Sequence, residues 1–253
     1  MHYISSGKGQ AFFFQHGLGS QLSQALTTLD GLSGVRLISA DCPGHGQEIL
    51  PNGHRPSFNY YADYLCQLQD QLEASPAFWG GISMGSGIAL NIALRFQDRV
   101  KALVLVRPAW LDAVNPATLN LILKAATYLK KENGQQLFEQ EADYQHYLHT
   151  LPKAAASLMG VFAETQQASL PLVLESMIKD RPFDQLEDLA QIKVPVLIIG
   201  NEDDIMHPFS MAESIHQAIP NSTLVKVVSR YIDNDQHQQE VLAQVQTFVD
   251  ANL

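Results

Sequence analysis

Gly81-x-Ser83-x-Gly85 interrupts an apolar run, Ala77 to Ile82, that resumes as Ile88-Ala89-Leu90 with the character of a buried helix. A strand, a tight turn and a helix in that order put one serine at the tip of the turn, in a strained backbone conformation. A Cβ two residues before or after it would collide with neighbouring backbone, so both places take glycine. No other GxSxG occurs in the chain. A serine hydroxyl is a poor nucleophile until a base takes its proton. The base in turn needs an orienting carboxylate, and an oxyanion needs preorganised N–H donors. A glycine-rich strand-to-helix turn could instead hold a phosphate on the helix N-terminus, so the other parts decide between the two chemistries.

The elements that must position these parts alternate along the chain. Tyr3 to Ser5, Ala11 to Gln15, Val35 to Ala40, Lys101 to Val106, Val194 to Ile199 and Thr223 to Val228 read as strands beside the one before Ser83. Gln21 to Leu32, Tyr60 to Ala74, Ser210 to Ala218 and Gln239 to Ala251 read as helices between or after them. This is the pattern of a mostly parallel sheet covered on both faces. From Leu111 to about Gln191 the strand pattern disappears. Helical stretches follow there, roughly Pro116 to Glu132, Gln135 to Thr150, Ala154 to Glu164 and Leu170 to Lys179.

Ser83 with its flanking strand and helix resembles the nucleophile elbow of the α/β-hydrolase family, and the resemblance covers nearly the whole chain. It implies an α/β-hydrolase fold with a core domain of residues 1–110 and 192–253 and a helical cap over 111–191. His16-Gly17-Leu18-Gly19 matches the family's oxyanion loop, so the resemblance gives the oxyanion hole to the N–H groups of Leu18 and Met84. Gly17-x-Gly19 lacks the third glycine of a dinucleotide-binding turn, because Leu22 stands there. Asp41-x-Pro43-Gly44-His45-Gly46 looks like a structural turn of the family, which argues against His45 as the base. Gly200-Asn201-Glu202-Asp203 resembles Gly-x-x-Asp and makes Asp203 the acid, with Asp204 leaving the register open by one residue.

The family's histidine lies between the last strand and the closing helix. Here that loop runs from Ser229 to Gln238, and His237 is its only histidine. The competitors are His207, four residues past Asp203 in the acid's own loop, His216 inside a helix, and His54 before the elbow. Arg107, just past a strand, would meet an anionic substrate group or make a salt bridge to the cap. Leu123, Met159, Phe162 and Met177 would line the acyl pocket or form the cap's own core. His146 and His149 lie one helical turn apart, but no third ligand follows at metal-binding spacing, so no metal is expected.

The 253 residues are 46% hydrophobic and 17% charged, an ordinary globular composition with ample core. A net charge of -10 argues against nucleic acid or an anionic membrane as partner. No signal peptide or apolar run of membrane-spanning length is visible. Two cysteines without metal spacing suggest neither disulfides nor zinc. The expectation is a cytoplasmic serine hydrolase that needs no cofactor. Its substrate would be a small molecule, by default a carboxylic ester, with lactone, amide or carbon–carbon bond hydrolysis within the fold's reach. A weakly catalytic binding or sensor protein on the same fold is the competing expectation. The sequence does not indicate an oligomeric state.

Overall fold

Apolar strands whose side chains are buried on both faces must lie inside a layered structure, and six of the seven strands in the computed structural model are parallel. The structure describes residues 1–163 and 167–253. The strands are β1 (Tyr3–Gly7), β2 (Gln10–Gln15), β3 (Val35–Ala40), β4 (Ala77–Ile82), β5 (Val100–Val106), β6 (Val196–Gly200) and β7 (Ser222–Lys226). They form one sheet in the order β1-β3-β2-β4-β5-β6-β7, and only the pairing of β1 with β3 is antiparallel. β4 and β5, at the centre, are almost wholly buried.

Helices cover both faces. α1 (Leu22–Thr28) and α10 (Asn234–Asn252) lie on one. Val241, Val245 and Val249 of α10 pack there with Phe12, Phe14 and Leu29. On the other face are α2 (Phe58–Gln71), α3 (Met84–Arg95) and α9 (Phe209–Ala218). Tyr61, Leu65 and Leu68 of α2 meet Phe13, Trp79 and Leu103 of the sheet there.

Between β5 and β6 the described chain is helical. It forms α4 (Asn120–Tyr128), α5 (Gly134–Glu139), α6 (Ala142–Thr150), α7 (Pro152–Ser157) and α8 (Leu170–Ile178). The expected helix over 154–164 is divided. α7 ends at Ser157, a 3-10 turn continues over Leu158–Phe162, and the end at Glu164 lies outside the described residues. α10 starts five residues before the expected Gln239, because the Asp233 side chain accepts a hydrogen bond from the Gln236 N–H and caps the helix there. His237 therefore sits in the first turns of a helix and not in a loop.

Candidate active site

In an open α/β sheet the loops at the carboxyl ends of the parallel strands converge on one edge. Here β2 delivers Leu18, β4 delivers Ser83, β5 delivers Arg107 and β6 delivers Asp204 and His207 to that edge. The turn at Ser83 has the expected strain, with φ 57° and ψ -110°. Its glycines are sterically required. A Cβ on Gly81 would lie 2.6 Å from the Gly85 carbonyl carbon, and one on Gly85 would lie 2.4 Å from the Gln15 carbonyl oxygen. The Ser83 N–H donates to the Val106 carbonyl at 3.0 Å, which ties the turn to the neighbouring strand.

The histidine that meets Ser83 is His207, not His237. Nε2 of His207 lies 2.9 Å from Ser83 Oγ, and Nδ1 lies 2.9 Å from Asp204 Oδ1. The tautomer that satisfies both carries its proton on Nδ1, donates it to the carboxylate, and leaves Nε2 to accept from the serine hydroxyl. Asp204 Oδ1 also receives the backbone N–H groups of Met206 and His207 at 3.1 and 3.3 Å, so the acid and the imidazole belong to one self-bonded loop. Asp204 Oδ2 accepts from Arg107 Nη2 at 2.6 Å and from Nε at 3.0 Å.

Asp203, the expected acid, is exposed and takes φ 54°. Of the two aspartates it is Asp204 that meets His207, its side chain turned inward while that of Asp203 turns to the surface. His237 is buried, lines a neighbouring cavity and not that of Ser83, and its Nδ1 is 2.7 Å from the Val228 carbonyl. The early start of α10 turns its ring toward that strand end instead of toward Ser83. His45 packs against His16 and Tyr61, with ring centres 4.8 and 6.0 Å away.

Burial of Asp204 disfavours its charge, yet the adjacent His207 and Arg107 outweigh this and hold its carboxyl far below the usual carboxylate range. The His207 pKa is lowered. Burial is the main cause, Asp204 opposes it, and Arg107 adds to it. Arg107 Nη2 lies 3.1 Å from His207 Nδ1, close enough to discourage a second positive charge. Arg107 thus makes its salt bridge to the acid and not to the helical insert.

A cavity of about 280 Å³ opens in front of Ser83. Leu18 and Ser83 line it from the sheet side. Leu119, Ile122, Leu158, Val161 and Leu174 line it from the helical segment. Leu123, Met159, Phe162 and Met177 do not line it. Leu123 is turned by about 100° from its cavity-lining neighbour Ile122 in α4, Met177 is fully buried in α8, and Phe162 packs near Phe138 at 5.4 Å within the insert's own core. Met84 opens α3, where a first-turn N–H has no partner within the helix. Leu18 and Met84 therefore flank the serine as the two candidate oxyanion donors. Among the described residues no group of three or more His, Cys, Asp or Glu side chains could hold a metal.

A family model described as the alpha/beta hydrolase fold matches residues 10–231. The chain belongs to the α/β-hydrolase family. It is 26% identical over 232 residues to Lipase 3 of a Moraxella species, covering 86% of this chain and 70% of the relative. It is also 26% identical to the pimeloyl-[acyl-carrier protein] methyl ester esterase of Nitrosomonas europaea, covering 89% of both. Among solved structures the enol-lactonase of Burkholderia xenovorans superposes with a TM-score of 0.76 at 22% identity, covering 98% of this chain and 96% of that one. Among the described residues no helix is long and apolar enough to cross a membrane.

Proposed function

We propose that the protein is a serine hydrolase that cleaves a small carboxylic ester through an acyl-enzyme, with Ser83 as nucleophile, His207 as base and Asp204 as the orienting acid. The observation that carries this reading is the unbroken chain of 2.9 Å contacts from Ser83 Oγ through His207 to Asp204 at the floor of the cavity. Ser83 Oγ bonds to the ester carbonyl carbon as its proton passes to His207 Nε2. The carbonyl electron pair moves to the oxygen, which the N–H groups of Leu18 and Met84 receive. Collapse breaks the bond to the alcohol, which leaves with the proton from His207. Water, deprotonated by the same nitrogen, then releases the acid and returns the proton to Ser83.

The helical insert acts as a cap that excludes water and shapes the acyl site, since five of its apolar residues line the cavity. The names of the relatives, a lipase and a methyl ester esterase, point to the same bond type. Two buried, unpaired cysteines suit a reducing, cytoplasmic setting. A sensor role would have needed an incomplete triad, and the three groups are in contact.

A fluorophosphonate probe should label Ser83 of the folded protein, and a panel of p-nitrophenyl esters should be turned over. Ser83→Ala and His207→Ala should each lower kcat by roughly a thousandfold or more, whereas His237→Ala should lose less than about tenfold. The base returns to His237 if the last two results are exchanged.

A further inference from the structure

Apart from His207, the walls of the catalytic cavity carry two charged side chains among the described residues, and both are arginines. Arg107 is matched by Asp204 behind the wall, in contact at 2.6 Å. Arg230 is not matched. It lies just past β7, lines the cavity of Ser83, and also lines an adjoining polar cavity of about 270 Å³. Among the described residues it has no ion pair or hydrogen bond. Its guanidinium carbon stands 5.6 Å from the centre of the Tyr231 ring. No aspartate or glutamate among the described residues lines either cavity. The chain carries a net charge of -10, yet no acidic side chain among the described residues faces this wall.

The half-buried guanidinium is under electrostatic load. Burial lowers the Arg230 pKa, the charge of Arg107 lowers it further, and Tyr231 and Asp204 only partly oppose this. A cation removed from water beside a second cation is costly when nothing neutralises it. A ligand that brings a negative charge removes that cost, and the planar fork of a guanidinium matches the two oxygens of a carboxylate. Arg107 and Arg230 against Asp204 leave one surplus positive charge at the site. A single carboxylate balances it, whereas a phosphomonoester, at close to two negative charges, would overshoot.

We infer that the substrate is an ester that also carries a free carboxylate, and that Arg230 binds this carboxylate while the scissile carbonyl lies at Ser83. The inference rests on the hydrolase reading for the position of the ester, but the anion site is testable without turnover.

The test compares monomethyl with dimethyl esters of the dicarboxylic acids from glutaric to suberic, pairs that differ by one charge. Methanol release by the wild type should favour at least one monomethyl ester by about tenfold or more in kcat/KM. Arg230→Gln should collapse that ratio, mainly through KM, and Arg230→Lys should recover part of it. A wild type that turns the esters over but favours no monomethyl ester, or an Arg230→Gln protein that keeps the ratio, overturns the inference. Stronger competitive inhibition by glycerol 3-phosphate than by the monomethyl esters would overturn the carboxylate assignment.

Calorimetric titration of the Ser83→Ala protein with the same pairs supplies the second readout. Preferential binding of a monomethyl ester, lost when Arg230→Gln is added, supports the site even if the wild type releases no methanol, an outcome that would defeat the hydrolase reading instead. Equal binding of both members of every pair overturns the anion site whatever the rates.

Discussion

A carboxylate held between a guanidinium and an imidazole does two jobs that a substitution can separate. Asp204 anchors buried Arg107 and orients His207. Its neighbour Asp203 points to solvent. Asp204→Asn should therefore lower kcat by several orders of magnitude and also destabilise the fold by about 3–5 kcal/mol, because a buried cation loses its partner. Asp203→Asn should change both by little. Denaturant melts and ester kinetics on the two variants check this.

The pH dependence follows from the lowered pKa of His207. As the proposed base, His207 works only when neutral, so activity should be present above its folded pKa and be lost as pH falls through that value. Because burial sets the value lower, the acid limb of kcat/KM should lie below the usual imidazole value of about 6.5. A limb at or above 6.5 would contradict the environment described for His207. At this scale the strained serine turn and its glycines were legible in the sequence, because their spacing has one steric cause. Which histidine meets Ser83 was not legible, because that contact depends on where side chains turn, and His207 and His237 are both plausible by position along the chain.

At the scale of elements the boundary of α10 matters most. In the sequence Asp233-Asn234-Asp235 reads as polar connector, yet in the fold the same residues are an N-cap and a first helical turn. In the helical insert the elements were anticipated, but their rotation was not. Ile122, Leu158 and Val161 face the cavity, while the residues next to them in sequence, Leu123, Met159 and Phe162, do not. Hydrophobicity alone does not distinguish neighbours when a helix is apolar on a wide face. Leu158→Ala should therefore extend the preferred acyl chain in a p-nitrophenyl ester series, with about 2–5 kcal/mol of stability lost to the new cavity. Met159→Ala should leave the preference in place. A shift produced by Met159→Ala alone would mean that the insert packs over the serine in a different rotation.

At the scale of the molecule the fold was legible almost strand by strand, since alternating apolar runs and helical segments admit few arrangements other than a parallel sheet. The antiparallel edge strand β1 and the order of strands came only with the structure. The sequence distance between groups at the site also has a consequence for how the molecule fails. Acid and base are three residues apart in one loop after β6, bonded to each other through side chain and backbone. Arg230 and Tyr231 arrive later, between the edge strand β7 and the closing helix. Local opening starts where burial is least; β1, exposed along its whole length, carries no group of the site, whereas β7, half-exposed, leads directly to Arg230 and Tyr231. Among the elements that carry the site, the β7–α10 unit should therefore loosen first under mild denaturant, and discrimination between charged and neutral esters should fade while neutral-ester turnover persists. A loss of both at one denaturant concentration would mean that the unit does not open on its own. If they part, the protein has a window of conditions in which it remains a catalyst but is no longer selective.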